Sequence, residues 1–386
     1  MRIGIFSECY HPVLNGVVVS IDTFKNELEK RGHKYIIFTV ENPGFKETNP
    51  DIIRYSSMVP FKAQGGRYPI SWPQIARLQA GRIAKYNLDL IHSQHMLQLG
   101  LLGLKVGKIL NIPIILTYHT LLAEYAHYSP LFPGLVRNYL IKKSRDICNR
   151  FDQVVTPSPS MKKVLREYGV KTPITPIPTG VDIELFKNSY SRVEIRKKYN
   201  IPESQKTILL YISRIAKEKN VDFLFDALKI IAQKRQDWHL LMVGGGPELE
   251  NYKNKISKSI IKNQITFTGM VEKKEVNRYY GGTDLFVFPS ITETQGIVVT
   301  EAMAAGIPAV AINQMGPSDI IEDGEDGFLT PLNLEQFSSK IEFLIQNEKL
   351  RSKMGENALV AAQKYSVTST CDQMEKIYEE TSHHHA

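Results

Sequence analysis

Short apolar runs alternate with longer stretches of helical period along most of the chain. RIGIF at residues 2–6 is followed by SIDTFKNELEKRG, whose apolar positions recur every three to four residues up to a stopping glycine, and then by KYIIFTV. This order predicts strand, helix, strand. The alternation returns as LDLIHSQ, LQLGLLGLKVGKILN and IPIILTYHT, and again as DQVVTPS, PSMKKVLREYG and ITPIPTG. Such a β/α order implies a parallel sheet covered by helices on both faces, with ligands at the carboxyl ends of the strands.

The pattern restarts after PTGVDIELFKNSYSRVEIRKKYNIPESQK, a polar connecting stretch. TILLYIS, VDFLFDALKIIAQKR, WHLLMVGGG, ITFTGMV, LFVFPS and PAVAIN then form a second α/β series. The predicted fold class is α/β, with two Rossmann-like domains facing across a cleft. Residues 1–182 form the first and 183–365 the second, with the connection near 180–205. A ligand cleft between the two is the default expectation. No short-period repeat and no low-complexity tract interrupts them.

Composition narrows the class. A chain of 386 residues with 42% apolar and 23% charged side chains can bury two cores, which excludes disorder. No run approaches the about 18 consecutive apolar residues of a spanning helix. The opening MRIGIFSECYHPVLNG lacks a secretory pattern, so a cytoplasmic location is expected. Cys9, Cys148 and Cys371 are odd in number and far apart, which predicts free thiols in a reducing compartment. The closing SHHHA reads as the remnant of a purification tag. The net charge of +8 is unevenly spread: residues 1–182 carry 23 Lys and Arg against 13 Asp and Glu, and the remainder 25 against 27. A basic first half suits an anionic membrane, nucleic acid or an acidic substrate, and equally well a solvated surface with no partner.

Several motifs carry chemistry. Glu293 and Glu301 flank a glycine in ITETQGIVVTEAMAAG, after the strand LFVFPS. Backbone N–H groups from Thr294 through Gln295 and Gly296 to Ile297 would form a helix start that favours an anion. By this spacing Glu301 lies about two helical turns beyond Glu293, so the two serve one ligand only if it is long. Two acids favoured by the helix dipole are the structural alternative. Arg214 and Lys219 in SRIAKEKN follow a strand end, where two cations can neutralise a diphosphate; lysines on a solvated loop are equally common. Gly244 and Gly245 in VGGGPE lie between strand and helix, as backbone contact to a ligand or as a tight turn; Leu249 replaces the third glycine of a dinucleotide fingerprint. Asn15-Gly16 occupies the loop after the first strand, where glycine admits close backbone approach. His119 ends another strand. His92 and His95 form an HxxH without acidic or cysteine partners at zinc spacing, so metal is not expected. IEDGEDGFL reads as an exposed acidic turn, and no DxD motif is present to hold a metal–diphosphate.

Together the NGVV loop, TYHT, IPTGVD, SRIAKEKN, VGGGPE, the ETQGIVVTEAMAAG block and EDGEDGFL resemble the retaining glycosyltransferase family 4, of GT-B fold. The resemblance runs along nearly the whole chain, and the E-x7-E block is its most specific part. It implies that Glu301 binds the nucleotide ribose, Glu293 the donor sugar, and Arg214 and Lys219 the diphosphate. His119 would approach the transferred sugar and Gly16 would bring its loop to the phosphate. Residues 366–381 would form a helix returning to the first domain. TYHTLLAEYAHY, IPTGVD and ETQG are similar to the diacylglycerol glucosyltransferases of the family, in which Gln295 and Thr179 stand where many members have Phe and Asn. The implied reaction is retaining and independent of metal or cofactor, moving glucose from a UDP-sugar to a lipid acceptor such as diacylglycerol. The family also contains mannosyltransferases that act on other lipids.

A lipid acceptor gives the basic first half a purpose. FPGLVRNYLIKKSRDICNRF mixes apolar residues with Arg137, Lys142, Lys143 and Arg145, and it could lie on an anionic membrane surface at the inner face of the cell membrane. An amphipathic helix packed on its own sheet fits equally. Rival classes are a nucleic-acid-binding protein and a sugar-nucleotide-binding protein without catalysis. The former lacks RNP-like, KH-like and zinc-finger patterns, so no nucleic-acid partner is expected.

Overall fold

Parallel strands buried on both faces explain why the apolar runs are continuous rather than alternating. The computed structural model describes residues 1–383 except 43, 64–65, 72–73, 97, 122 and 125–131. The chain divides into two units, Met1–Gly180 with Val367–Ala386, and Val181–Ser366. The last two histidines of the tag-like end, His384 and His385, lie outside the described residues, as does the end of TYHTLLAEYAHY.

In chain order the first unit holds β1 (Arg2–Phe6), α1 (Gly16–Lys30), β2 (Lys34–Val40), β3 (Ile52–Tyr55), and the antiparallel pair β4 (Ser57–Ala63) and β5 (Gly66–Ser71). Then follow α2 (Ala76–Ile83), β6 (Leu90–Ser93), α3 (Gln98–Leu110), β7 (Ile114–Thr117), α4 (Pro133–Cys148), β8 (Gln153–Thr156), α5 (Pro159–Glu167) and β9 (Ile174–Pro176). Among the described residues its parallel sheet runs β3-β2-β1-β6-β7-β8-β9. The periodicity starts the first helix near Ser20 and leaves Asn15-Gly16 in a loop. Instead Asn15 is the N-cap, its Oδ1 accepting from the Val18 N–H at 3.0 Å, and Gly16 is the first helical residue. Valine in a helix costs well under ~1 kcal/mol, whereas burying a side chain such as Val18 or Ile21 yields ~1.5–3 kcal/mol. Burial decides, and Val18, Ile21, Phe24 and Leu28 form the inner face.

The second unit holds α6 (Arg192–Tyr199), β10 (Thr207–Ile212), α7 (Val221–Ala232), β11 (Trp238–Val243), α8 (Leu249–Ser257), β12 (Ile265–Gly269) and α9 (Lys273–Val276). Next come β13 (Leu285–Phe288), α10 (Ile297–Ala304), β14 (Ala309–Ile312), α11 (Gly316–Ile320), β15 (Gly327–Thr330), α12 (Leu334–Gln346) and α13 (Glu348–Ala362). Its parallel sheet is ordered β12-β11-β10-β13-β14-β15. The stretch that reads as a polar connector is part of this unit. Phe186 and Ile195 are buried in its core, and Ser191 and Glu194 form a capping box on α6. Lys198 lies over the rings of Tyr190, Tyr199 and Tyr279. The acidic turn is less exposed than it reads: Asp326 is buried and accepts from the Glu322 N–H at 2.9 Å.

The chain end completes the first unit. Helix α14 (Val367–His383) packs on α1, and Arg31 donates to Asp372 at 2.7 Å and Glu375 at 2.9 Å. Deeper, the Tyr378 hydroxyl lies 3.2 Å from that of Tyr35 and 2.8 Å from His92 Nδ1, while His92 Nε2 meets Thr117 Oγ1 at 2.6 Å. His92 is therefore a satisfied core residue, neutral, donating through one ring nitrogen and accepting through the other. All three cysteines are free and buried.

Burial pushes His92 down from its usual value to about 3. The unfolded chain takes up this proton below about pH 6.5, while the folded protein refuses it until about 3. Its contribution to stability is therefore complete above pH 6.5 and lost as the pH falls through that window. Urea denaturation from pH 7 to pH 4 should show a shallower decline for His92→Gln, by up to about 1.4 kcal/mol per pH unit. Equal slopes would show that His92 titrates normally in the fold.

Candidate functional site

Four loops leave the carboxyl ends of neighbouring strands β11, β10, β13 and β14, and they carry most of the candidate residues. The turn after β10 holds Arg214 and Lys219. Arg214 pairs with Glu218, and Lys219 pairs with Glu293 on the loop after β13. The Ser290 hydroxyl also donates to Glu293 Oε1, at 3.1 Å. Two cations and two carboxylates thus balance with only partial exposure; the Lys219 and Glu293 side chains are 18% and 19% accessible.

The glycines explain how these loops come so close. A Cβ on Gly244 would lie 2.1 Å from the Ser213 carbonyl oxygen, and one on Gly246 2.2 Å from that of Ile215. Both also have φ in the left-handed region, +140° and +158°. The Ile215 N–H in turn donates to the Gly245 carbonyl at 2.9 Å. Gly244 and Gly246 therefore let the turn that carries Arg214 come close, and the Gly245 carbonyl accepts from it. Glu248 is the N-cap of α8.

The loop after β13 is set in the same way by its far neighbour. The Gly316 N–H donates to the Glu293 carbonyl at 2.9 Å, and a Cβ on Gly316 would lie 2.2 Å from the Gln295 carbonyl oxygen. Thr294 is half-buried and Gln295 buried. Gly296 turns at φ +82° and starts α10 at Ile297 without a side-chain cap. Glu301 lies one turn into α10, not two turns beyond Glu293, because half of the intervening sequence is loop. Its Oε2 accepts from the Tyr280 hydroxyl at 2.6 Å. Burial raises the Glu301 carboxyl above its usual value, and the bond from Tyr280 opposes the rise.

The first unit places His119 just after β7, with Nε2 2.8 Å from Gln94 Oε1. Burial pushes His119 down to about 3, so near pH 7 the ring is neutral, donating from Nε2 and keeping Nδ1 as an acceptor. Open space adjoins Gly16 where a side chain would stand. Around that turn the Glu8 N–H donates to His95 Nδ1 at 3.2 Å, and Asn15 Nδ2 to Cys9 Sγ at 3.2 Å. His92 and His95 serve separate neighbours, and among the described residues no three His, Cys, Asp or Glu side chains are grouped to hold a metal ion.

Residues 14–185 match the family described as Glycosyltransferase Family 4, and residues 191–360 match Glycosyl transferases group 1. An alpha-monoglucosyldiacylglycerol synthase from Streptococcus pneumoniae is 35% identical over 85% of this chain and 75% of its own. The chain belongs to glycosyltransferase family 4. A second alpha-monoglucosyldiacylglycerol synthase, from Acholeplasma laidlawii, is 28% identical over 98% and 96% of the two chains. A GDP-mannose-dependent alpha-mannosyltransferase from Corynebacterium glutamicum is 29% identical over 85% and 76%. Among solved structures, sucrose-phosphate synthase from Thermosynechococcus elongatus superposes with a TM-score of 0.77 over 98% of both chains at 23% identity. The two parallel-sheet, Rossmann-like units of this glycosyltransferase are those of the GT-B fold.

Tyr280, Ser290, Glu218 and Gly316 contact the candidate residues Glu301, Glu293 and Arg214 without having been legible in the sequence. Only Met315, a non-glycine residue at φ +50° beside Gly316, marks that corner as unusual, and it does so in the backbone alone. On the first unit of the glycosyltransferase, α4 buries only Ser144, Ile147 and Cys148. Phe132, Leu135 and Tyr139 are 70%, 69% and 61% exposed, so the N-terminal half of α4 is not packed on the sheet. Arg137 pairs with Glu124 at 3.3 Å and Arg145 with Asp146 at 2.8 Å. Lys142 and Lys143 line a cavity of about 420 Å³ with Leu101, Tyr139, Ile147 and Arg150. Among the described residues no helix is long and apolar enough to cross a membrane.

Gly316→Ala should push the Glu293–Gly296 loop away from its position. Overpacking of this kind costs about 1–3 kcal/mol, so a lowered thermal midpoint is expected together with weakened nucleotide-sugar binding in calorimetry. A wild-type midpoint and affinity would show that the loop is set by other contacts.

Proposed function

We propose that this glycosyltransferase moves glucose from UDP-glucose to diacylglycerol with retention of anomeric configuration and without a metal ion. The observation that carries the reading is the balanced quartet Arg214, Glu218, Lys219 and Glu293 beside Glu301. Glu301 accepts from the nucleotide ribose. Arg214 and Lys219 turn from their carboxylates to the diphosphate, and Glu293, relieved of Lys219, accepts from hydroxyls of the sugar. His119 and the Gly16 turn are assigned to the sugar and the phosphate. The bond between the anomeric carbon and the β-phosphate oxygen breaks, and the cations and the start of α10 stabilise the charge gained by the diphosphate. The acceptor oxygen bonds to the anomeric carbon on the same face, and its proton passes to the departing phosphate. Gly244 and Gly245 keep the Arg214 turn in place. Glucose and diacylglycerol are supported by the relatives named for that product, and the 35% identity to one of them.

Transfer of mannose from GDP-mannose is the second reading, favoured by the similarity to the Corynebacterium glutamicum enzyme. Purified protein offered UDP- and GDP-sugars with diacylglycerol and other lipids should form an α-glucosyl lipid from UDP-glucose, identified by mass and anomeric coupling, in the presence of EDTA. A β-linked product would overturn retention, and loss of turnover in EDTA would overturn the metal-free mechanism. Mannosyl product alone would favour the second reading, and donor binding without turnover or hydrolysis would favour a non-catalytic protein.

A lipid acceptor accounts for α4. Its exposed Phe132, Leu135 and Tyr139 enter the interface of an anionic bilayer while Arg137, Lys142, Lys143 and Arg145 meet the headgroups, at the inner face of the cell membrane. Each basic residue reaching the surface contributes about 1 kcal/mol, less as salt shortens the Debye length. The protein should co-sediment with vesicles containing phosphatidylglycerol at low salt and much less with phosphatidylcholine alone. Lys142→Glu with Lys143→Glu should abolish the difference; equal binding to both vesicles, or to neither, would return α4 to a purely structural role.

A further inference from the structure

Tyr280 has a fully buried ring and a hydroxyl committed to Glu301. Its ring meets Phe186 edge-on at 5.4 Å and Phe286 at 6.0 Å, contacts that fix where the hydroxyl can point. The hydroxyl reaches Glu301 Oε2 at 2.6 Å, while the next acceptor, the Val298 carbonyl, is at 3.4 Å. The backbone on which it stands is secured by its neighbour. Tyr279 OH lies 2.8 Å from Tyr199 OH and accepts from Lys198 at 3.2 Å, holding the 3-10 turn Asn277–Tyr279 against α6. A phenol so fixed can favour one orientation of a carboxylate on a different helix.

We propose that Tyr280 is the positioning residue for the Glu301 carboxylate: it occupies Oε2 and leaves Oε1 directed to the ligand. The proposal rests on the ribose role of Glu301 set out above. A buried carboxylate without a donor is pressed towards its protonated form, which presents one acceptor fewer to a diol. The other charged group acting on Glu301 is Lys273 of α9, through space and without a hydrogen bond; the Tyr280 hydroxyl is its hydrogen-bonding partner.

Tyr280→Phe retains the ring and its packing, so the fold should survive, as far-ultraviolet circular dichroism and thermal unfolding would show. Calorimetry with UDP between pH 5 and pH 8 should find affinity about tenfold weaker at pH 7, with acid loss of binding beginning at a higher pH than in the wild type. The phosphate titration of UDP is common to both proteins and cancels in the comparison. In steady state the donor KM should rise with little change in kcat. Tyr279→Phe, which removes the neighbouring hydroxyl without touching Glu301, should lower stability and leave UDP affinity alone. Wild-type affinity and acid limb in Tyr280→Phe would overturn the proposal, as would equal weakening in Tyr279→Phe, which would mark a general disturbance of the turn. Glu301→Gln separates the two levels. If it weakens UDP binding while Tyr280→Phe does not, only the positioning role fails; if it leaves UDP binding intact, the ribose role fails.

Discussion

The ion pair between Lys219 and Glu293 joins the turn after β10 to the loop after β13, and the second unit's site is organised around it. Both groups are four-fifths withdrawn from water, where desolvation takes back much of what attraction gives. Such a pair is a poor source of stability and a good store of charge. It keeps a cation and a carboxylate in place, as the proposed transfer requires of two groups that are to meet a diphosphate and a sugar. The Arg214–Glu218 pair repeats the device one turn away.

Close approach of backbones makes this pairing possible. Ser213 and Ile215 lie against Gly244 and Gly246, and Gln295 lies against Gly316, at separations that no side chain would permit. The glycines of VGGGPE act at one remove, through the loop carrying Arg214. A parallel sheet provides the setting, since its strands all deliver their loops to the same edge.

The first unit depends on a different constraint, the return of the chain end. Helix α14 brings Tyr378 into a buried polar network with Tyr35, His92 and Thr117 and, nearer the surface, brings carboxylates to Arg31, so hydrogen bonds join residues more than 280 positions apart. A half-satisfied network there would be worse than none, because each unpaired buried group costs about 1–3 kcal/mol.

Apolar periodicity was enough to read two α/β units and to place Arg214, Lys219 and Glu293 on loops after strand ends, because burial on both faces of a parallel sheet writes itself into continuous apolar runs. The place of the E-x7-E block at a strand end was legible for the same reason, while the roles of its two glutamates were implied by the family resemblance. Where α1 begins, and that residues 183–199 are folded rather than connecting, was not legible: burial of Val18, Phe186 and Ile195 against distant strands overrides local propensity. Nor could spacing reveal that Lys219 meets Glu293, that Tyr280 meets Glu301, or that Gly316 bears on Gln295. Those contacts join residues between 21 and 74 positions apart, and only the packing of neighbouring strand-end loops, decided by the tertiary structure, brings them together.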